Sequence, residues 1–170
     1  MVKWSYIIIA LLVIGVLGGL YIMSRRKSIS FDFDLGGNLQ NLLGEVQGRY
    51  SNPLTRGAGF YLDVPLTTII KNKGAAATTL QNILGSISYN GESILQTKAD
   101  STVLQNVAVA GRSSTPVTDS VQLLINPSSL KFLKELVQGK KPVVKYNFAT
   151  TILGKPYQFT NTSTINNQSL

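Results

Sequence analysis

Residues 60–71 read FYLDVPLTTIIK, the most strongly alternating stretch of the chain. Apolar side chains stand at every second position from Phe60 to Leu66, and Tyr61, Asp63, Pro65 and Thr67 face the other way. Alternation with a period of two predicts a half-buried β-strand. Pro65 has no N–H to donate to a ladder, which predicts an edge position or a bulge at that point.

Similar stretches on both sides of this strand predict further strands. Asn90-Gly91 lies between two of them and is the sharpest short-range signal for a β-hairpin turn. Asp32 and Asp34 share one face of the first strand, where a solvent-facing role is favoured over half of a cation site. The predicted strands cover residues 28–35, 60–71, 79–89, 92–97, 101–109, 116–125, 142–153 and 157–160.

One helix is well signalled near the C-terminal end of the chain, directly after the predicted strand over residues 116–125. Asn126 is its expected cap, Pro127 occupies its first turn, and Gly139 ends it. A second, short helix is weakly predicted over residues 38–46, followed by a loop. About seven strands separated by turns, with one clear helix, predict a mainly-β fold, a β-sandwich.

The N-terminal segment predicts a membrane anchor. Residues 4–23, WSYIIIALLVIGVLGGLYIM, carry no charge and would span roughly 30 Å as a helix, the thickness of a bilayer core. Trp4, Tyr6 and Tyr21 lie near its ends, and Arg25-Arg26-Lys27 closes it. No small-x-small cleavage site follows, so a single uncleaved transmembrane helix is favoured over a signal peptide.

This anchor sets the predicted organisation: residues 1–27 as the anchor with its basic flank, 28–160 as the β-sandwich domain, and 161–170 as a polar tail. Arg25, Arg26 and Lys27 outnumber Lys3 and the α-amino group, which weakly favours a domain on the cytoplasmic or interior side. Gly15 and Gly19 form a G-x-x-x-G that could pair two anchors, although a flexible single anchor is favoured.

The composition argues against catalysis. The chain has no histidine, no cysteine and only 8 Asp and Glu residues, so it lacks the commonest general base, the commonest metal ligand and the thiol nucleophile. No catalytic, cofactor-binding or metal-binding residue can be assigned, and neither a cofactor nor an enzymatic activity is predicted.

A net charge of +8 suits an anionic partner. The densest cluster of cations outside the N-terminal segment is a possible basic surface. A solvated face is its favoured interpretation, ahead of anionic lipid headgroups. Nucleic acid is the least favoured partner, because aromatic residues are not interleaved with the lysines. The cluster consists of Lys131, Lys134, Lys140, Lys141 and Lys145.

Three stretches of the chain resemble a known family. They are FYLDVPLTTIIKNKG at 60–74, LQNILGSISYNGESIL at 80–95, and residues 115–159, which begin TPVTDSVQLLINPSSL. In order and in turn and core residues they are similar to the late embryogenesis abundant (LEA) group 2 proteins, or water-stress and hypersensitive-response (WHy) domain. The resemblance implies an immunoglobulin- or fibronectin-like β-sandwich with a helix near its C-terminal end, no enzymatic activity, and often an N-terminal membrane helix.

The expected function follows from the anchor and from the missing chemistry. We expect a single-pass, membrane-anchored structural or interaction protein that displays a β-sandwich beside a lipid bilayer and binds protein partners in a larger assembly. The virion of a membrane-containing phage and a cell-envelope complex are examples. The alternative, taken from the resemblance, is a stress-protection or lipid-binding protein of the LEA type.

Overall fold

The computed structural model describes residues 28–54 and 60–166, and these ranges contain eight strands and two helices. All eight strands belong to one hydrogen-bonded sheet. In chain order the elements are β1 (Ile29–Leu35), α1 (Leu39–Ser51), β2 (Tyr61–Asn72), β3 (Thr78–Tyr89), β4 (Glu92–Gln96), β5 (Asn106–Val109), β6 (Ser113–Leu124), α2 (Pro127–Val137), β7 (Val143–Ile152) and β8 (Lys155–Asn166).

Seven of the strands close into a ring. Hydrogen-bonded neighbours follow the order β4-β6-β2-β1-β8-β7-β3, and β3 then pairs with β4, while β5 is attached to β3 outside the ring. The fold is therefore a closed, mainly-β barrel with two helices. The predicted immunoglobulin- or fibronectin-like β-sandwich is wrong, because two packed sheets would keep separate edges, whereas here both pairs of edges are joined.

Two short ladders make this difference. β8 pairs in parallel with β1 at two positions, one of which joins Phe33 to Ile165. β4 pairs antiparallel with β6 at two positions, one of which joins Leu95 to Leu123. An open edge leaves N–H and C=O groups unpaired and invites association with other chains, and closure removes that edge.

The last strand is longer than the sequence predicts. A strand ending at Thr160 and a polar tail were expected, but β8 continues to Asn166. Phe159 and Ile165 point inward and are buried, whereas the outward positions between them carry exposed threonines. Because polar side chains also occupy some inward positions, such as Ser163, the alternation is weak in the sequence.

The segment before β5 also differs from the prediction. A strand over residues 101–109 was expected, and only Asn106–Val109 is a strand. Residues 97–105, here called the strap, connect β4 to β5. Ser101 in the strap donates a hydrogen bond from its Oγ to the Asp119 carboxylate of β6. Backbone hydrogen bonds also join the strap to β3, where the Asn82 and Ile83 N–H groups donate to the Gln105 and Leu104 carbonyls at 2.9 Å. The strap is therefore held to the wall of the barrel at both of its faces without being a strand itself.

Helix α1 is longer than the predicted helix over residues 38–46 and runs into the expected loop. Asn38 caps its first turn through the side-chain oxygen. Glu45 and Arg49 form an i,i+4 ion pair at 2.9 Å, which supports the second half of the helix. α1 packs against α2, so the two helices lie together at one end of the barrel.

The edge position or bulge predicted at Pro65 is not found, because β2 lies between β6 and β1 and neither ladder shows a register shift at this residue. Pro65 pairs with Ser120 of β6, while on its other side β1 ends at Leu35, opposite Leu66. The Gly36 N–H donates to the Pro65 carbonyl at 3.2 Å as the chain leaves the sheet. The missing N–H of Pro65 therefore falls where β1 no longer needs a partner.

Aromatic side chains fill the interior of the barrel. Phe31 of β1 contacts rings from two other strands, with centroids at 5.5 Å from Phe159 of β8 and 5.3 Å from Phe148 of β7. Such distances are typical of edge-to-face and tilted aromatic pairs, which add to the stabilisation from burial. The members of this aromatic core are Phe31, Phe33, Tyr146, Phe148 and Phe159.

The predicted transmembrane helix and its basic flank lie outside the described residues. Within residues 28–54 and 60–166, no helix combines the length and apolarity needed to cross a bilayer. The structure therefore gives no support to the single-pass membrane protein and membrane localisation predicted from the sequence. The anchor residues concerned are Trp4, Tyr6, Gly15, Gly19, Tyr21, Arg25, Arg26 and Lys27.

The closing ladder between β1 and β8 can be tested at Ile165, whose side chain is fully buried. We expect Ile165→Ala to lower the free energy of unfolding by about 2–5 kcal/mol. The matched change at the exposed neighbour, Thr164→Ala, should alter it by less than about 0.5 kcal/mol. Guanidinium denaturation followed by circular dichroism measures both. Equal effects would contradict the placement of residues 161–166 in the barrel.

The buried hydroxyl of Thr78 in β3 leads to a second prediction about stability. Its hydroxyl is buried and has no hydrogen-bond partner among the described residues, so its desolvation is not compensated. We expect Thr78→Val to raise the free energy of unfolding by about 1 kcal/mol. Thr150→Val is the control, because the Thr150 hydroxyl donates to the Gln81 carbonyl at 2.7 Å and its loss should destabilise the protein. Destabilisation by both changes would show that Thr78 has a partner.

Candidate functional site

The five lysines singled out in the sequence lie on α2, on the linker that follows it, and at the start of β7. All five side chains are exposed. None forms a salt bridge with a described residue. This group, here called the basic face, consists of Lys131, Lys134, Lys140, Lys141 and Lys145.

Helix α2 is fixed in place by its cap and by its apolar side. The Asn126 Oδ1 accepts a hydrogen bond from the Ser129 N–H at 2.8 Å, and its Nδ2 donates to the Ser93 carbonyl of β4 at 2.8 Å. Phe132 and Leu133 are buried against the barrel. Lys131 and Lys134, three residues apart, are therefore left on the exposed side.

The predicted hairpin turn lies beside this face. Tyr89 pairs with Glu92, so Asn90 and Gly91 form a two-residue connection between β3 and β4. Both have positive φ, 51° for Asn90 and 85° for Gly91, as a type I′ turn requires. No heavy atom of another described residue, apart from the two chain neighbours, lies within 4 Å of a Cβ built on Gly91, so backbone conformation and not space favours glycine there.

Tyr89 connects the hairpin to α2. Its hydroxyl donates a hydrogen bond to the Glu135 carboxylate at 2.8 Å, and its ring lies 5.8 Å from that of Phe132. Burial raises the pKa of Tyr89, and the hydrogen bond to Glu135 and the charge of that carboxylate raise it further. The hairpin, α2 and the lysines on α2 thus form one connected unit.

A recess opens on the outer surface of β3, β7 and β8, next to the hairpin. Its volume is about 430 Å³. Two cross-strand rows form its floor: Ser88, Lys145 and Thr162 in one, and Ser86, Asn147 and Thr160 in the other. Asn90, Gly91, Val143 and Val144 complete the lining. Hydroxyl and amide groups dominate this surface, and among the described residues that line it Lys145 is the one with a charge.

A second recess of about 360 Å³ continues along the same strands and shares Ser86 and Asn147 with the first. Gly85 lies in its wall, where β3 approaches β7 so closely that a Cβ would come within 2.1 Å of the Asn147 carbonyl oxygen. The Thr97 Oγ1 of the strap accepts the Gly85 N–H at 2.8 Å. Glycine at position 85 therefore permits β3 and β7 to approach each other beneath the second recess.

The two aspartates considered from the sequence are not arranged as a cation site. Asp32 forms an ion pair with Lys71 of β2 and accepts a hydrogen bond from the Ser163 hydroxyl at 3.1 Å. Among the described residues, no three Asp or Glu side chains come together. Asp32 therefore contributes to strand pairing.

Sequence reasoning located part of this site. It identified the lysines and the Asn90-Gly91 turn, but it missed Ser88, Asn147 and Thr162, which share the floor of the recess with Lys145. For Ser88 and Asn147 the available signal was their outward position in the alternating pattern of a predicted strand. Thr162 fell in the predicted tail, and no local pattern specifies which strands become neighbours.

Comparison with known proteins gives only distant similarities. No protein-family model and no curated protein sequence matches the chain. A solved structure of a protein from Archaeoglobus fulgidus is similar at 16% identity over 83% of this chain and 98% of that chain, with a TM-score of 0.38. A FixG-related protein from Vibrio parahaemolyticus is similar at 12% identity over 83% of this chain and 97% of that chain, with a TM-score of 0.35.

A third similar structure is a solution structure of a candidate LEA protein. It is 12% identical over 76% of this chain and 84% of that chain, and the TM-score is 0.27. A protein described as LEA-like is therefore among the structural neighbours, while no family model supports membership of the family resembled by the sequence.

The contact between Tyr89 and Glu135 makes stability depend on pH. Burial also raises the pKa of Tyr146, so the folded protein retains two phenolic protons that the unfolded chain loses more readily. Their contribution to stability is complete below about pH 10, the ordinary tyrosine pKa, and is lost as the pH rises through the raised values.

We expect the free energy of unfolding to fall above about pH 10 in the native protein and to fall less steeply in Tyr89→Phe. Glu135→Gln should also reduce the slope, because it removes the charge that opposes ionisation of Tyr89. Urea denaturation at a series of alkaline pH values measures these slopes. Identical slopes in the three proteins would show that Tyr89 and Glu135 do not interact in solution.

Proposed function

We propose that this protein is a non-enzymatic, lipid-binding β-barrel whose basic face contacts an anionic phospholipid surface. The observation that carries the proposal is the set of five exposed lysines that have no ion-pair partner among the described residues. Cations without an internal partner are available to an external anion at no cost in broken contacts.

The magnitude is sufficient for reversible binding. A lysine close to an anionic membrane surface contributes about 1 kcal/mol, and the effect decays within a Debye length. If all five lysines reached the surface, their sum would be about 5 kcal/mol. Binding of this kind weakens as the salt concentration rises.

The composition of the basic face favours lipid over nucleic acid. Surfaces that bind single-stranded nucleic acid combine cations with aromatic rings on which bases stack. On the described barrel, the exposed aromatic residues are Phe60 and Tyr61 near the start of β2, not residues of the basic face. The face therefore offers charge without a stacking platform.

A lipid-binding role is also what the resemblance to the LEA group 2 proteins implies. The absence of histidine and cysteine from the sequence supports a non-enzymatic role. Nothing in the described residues favours the membrane-anchored component of a virion or envelope assembly that was expected from the sequence.

The test uses the full chain and two charge-reversed variants. Lys131→Glu/Lys134→Glu changes the basic face, and Lys73→Glu/Lys155→Glu is the matched control with the same change in net charge at exposed positions elsewhere. Co-sedimentation with phosphatidylcholine vesicles, with and without phosphatidylserine, measures binding. Both variants keep residues 1–27, so any contribution of that segment cancels in the comparison.

We expect the basic-face variant to lose about thirtyfold or more in apparent affinity for the phosphatidylserine vesicles, since two contributions of about 1 kcal/mol are removed and two repulsive charges are added. The control should retain most of its affinity, and raised salt should weaken binding of the native protein. Equal loss in both variants, or no difference between the two vesicle types, would refute the proposed contact surface.

A further inference from the structure

We infer that the recess beside the basic face binds the headgroup of a phosphorylated polyol lipid, with Lys145 contacting the phosphate. This inference rests on the proposed lipid-binding function and names the class of headgroup that the site would select. The recess has a volume of about 430 Å³, which lies within the range of small-molecule sites in proteins, about 300–1,000 Å³.

The first cross-strand row has the chemistry of a site for one phosphate group. Lys145 pairs with Ser88 of β3 on one side and with Thr162 of β8 on the other. Directly opposite residues in a sheet have their Cβ atoms about 5 Å apart, so the Lys145 side chain leaves the sheet between two hydroxyl-bearing side chains. An ammonium group with two neighbouring hydroxyls can donate hydrogen bonds to three oxygens of a phosphate.

The second row has the chemistry of a site for uncharged hydroxyl groups. The Asn147 Oδ1 accepts hydrogen bonds from the Thr160 hydroxyl and the Gln158 amide, each at 3.1 Å. These bonds orient the side chain so that its Nδ2 is the group available to a ligand. Thr160, having used its proton, presents lone pairs, and Ser86 adds a further hydroxyl. Donors and acceptors alternate here, as recognition of a polyol requires.

The charge of the residues that line the recess favours this headgroup over other anionic headgroups. Within the part of the chain that the structure describes, Lys145 is the one charged side chain that lines the recess, and the remaining polar lining groups are neutral. A single cation surrounded by hydroxyl and amide groups matches one phosphate ester attached to an uncharged polyol. A phosphatidylserine headgroup would bring an additional carboxylate and ammonium for which the lining has no charged partner.

The position of the recess connects it to the basic face. Lys140 and Lys141 lead directly through Pro142 into β7, where Lys145 lies. The Pro142 carbonyl accepts the Ile165 N–H at 3.3 Å, which holds this entry to the end of β8. Val143, 61% exposed, lies at the rim. A membrane contacted by the linker lysines would therefore present its headgroups at the mouth of the recess.

The first experiment measures headgroup selectivity of the full chain. Vesicles of phosphatidylcholine contain the same mole fraction of either phosphatidylinositol or phosphatidylserine, so the surface charge is matched. We expect tighter binding to phosphatidylinositol. Thr162→Val should reduce that preference about tenfold, because it removes a hydrogen bond to a charged group, whereas Thr164→Val, two residues further along the same outward face, should keep it.

The second experiment uses soluble probes with the same proteins. Calorimetric titration compares inositol monophosphate, inorganic phosphate and inositol. Binding of inositol monophosphate that is lost in Lys145→Gln and kept in Lys155→Gln supports the inference. Equal binding of inorganic phosphate and inositol monophosphate would overturn the role of the second row and leave a simple phosphate site.

The outcomes separate this inference from the function on which it rests. The protein could bind vesicles in a charge-dependent way without any preference for phosphatidylinositol and without an effect of Thr162→Val. This result would refute the headgroup site but not the proposed contact between the basic face and the membrane. Loss of binding to every anionic vesicle would refute both. A preference that persists in Lys145→Gln and Thr162→Val would place the headgroup elsewhere on the protein and overturn the assignment of the recess.

Discussion

Closure of the barrel through β8 is the constraint on which the rest of the structure depends. β8 pairs with β7 from Lys155 to Thr164 and with β1 at Ile165 and Asn166, so the first and last described strands are neighbours. The same arrangement brings Phe31 of β1 into contact with Phe159 of β8 and Phe148 of β7. The ladder between β1 and β8 is short, and the aromatic packing behind it adds to the stability of the closed ring.

The register that buries the aromatic core also arranges the outer surface. Phe148 and Phe159 form one inward pair, and therefore Asn147 and Thr160 form the next, outward pair. A slip of one residue between β7 and β8 would place aromatic rings in water and polar side chains in the core. The core therefore selects one register, and that register places Lys145 beside two hydroxyl groups. The surface chemistry is a consequence of packing on the opposite side of the same strands.

The helical end of the barrel shows how structural residues position charged ones. Asn126 fixes the start of α2 to β4, and the contact between Tyr89 and Glu135 fixes its later part to the hairpin. These residues leave the lysines on the outer side of the helix. The raised pKa of Tyr89 has the same origin, since burial between the hairpin and α2 disfavours the phenolate.

The sequence by itself determined the local elements: the alternation of β2, the Asn90-Gly91 turn, the helix that begins after Asn126, and the exposure of the lysines. Period, turn chemistry and capping are properties of a few neighbouring residues, so they can be read without knowing the fold. Only the tertiary structure decided that the sheet closes into a barrel instead of a sandwich. It also decided that the last strand continues to Asn166 and that Ser88 and Thr162 flank Lys145. These features depend on pairing between segments far apart in the chain, and the free energy that selects such pairing comes from the shared core, which no single stretch of sequence contains.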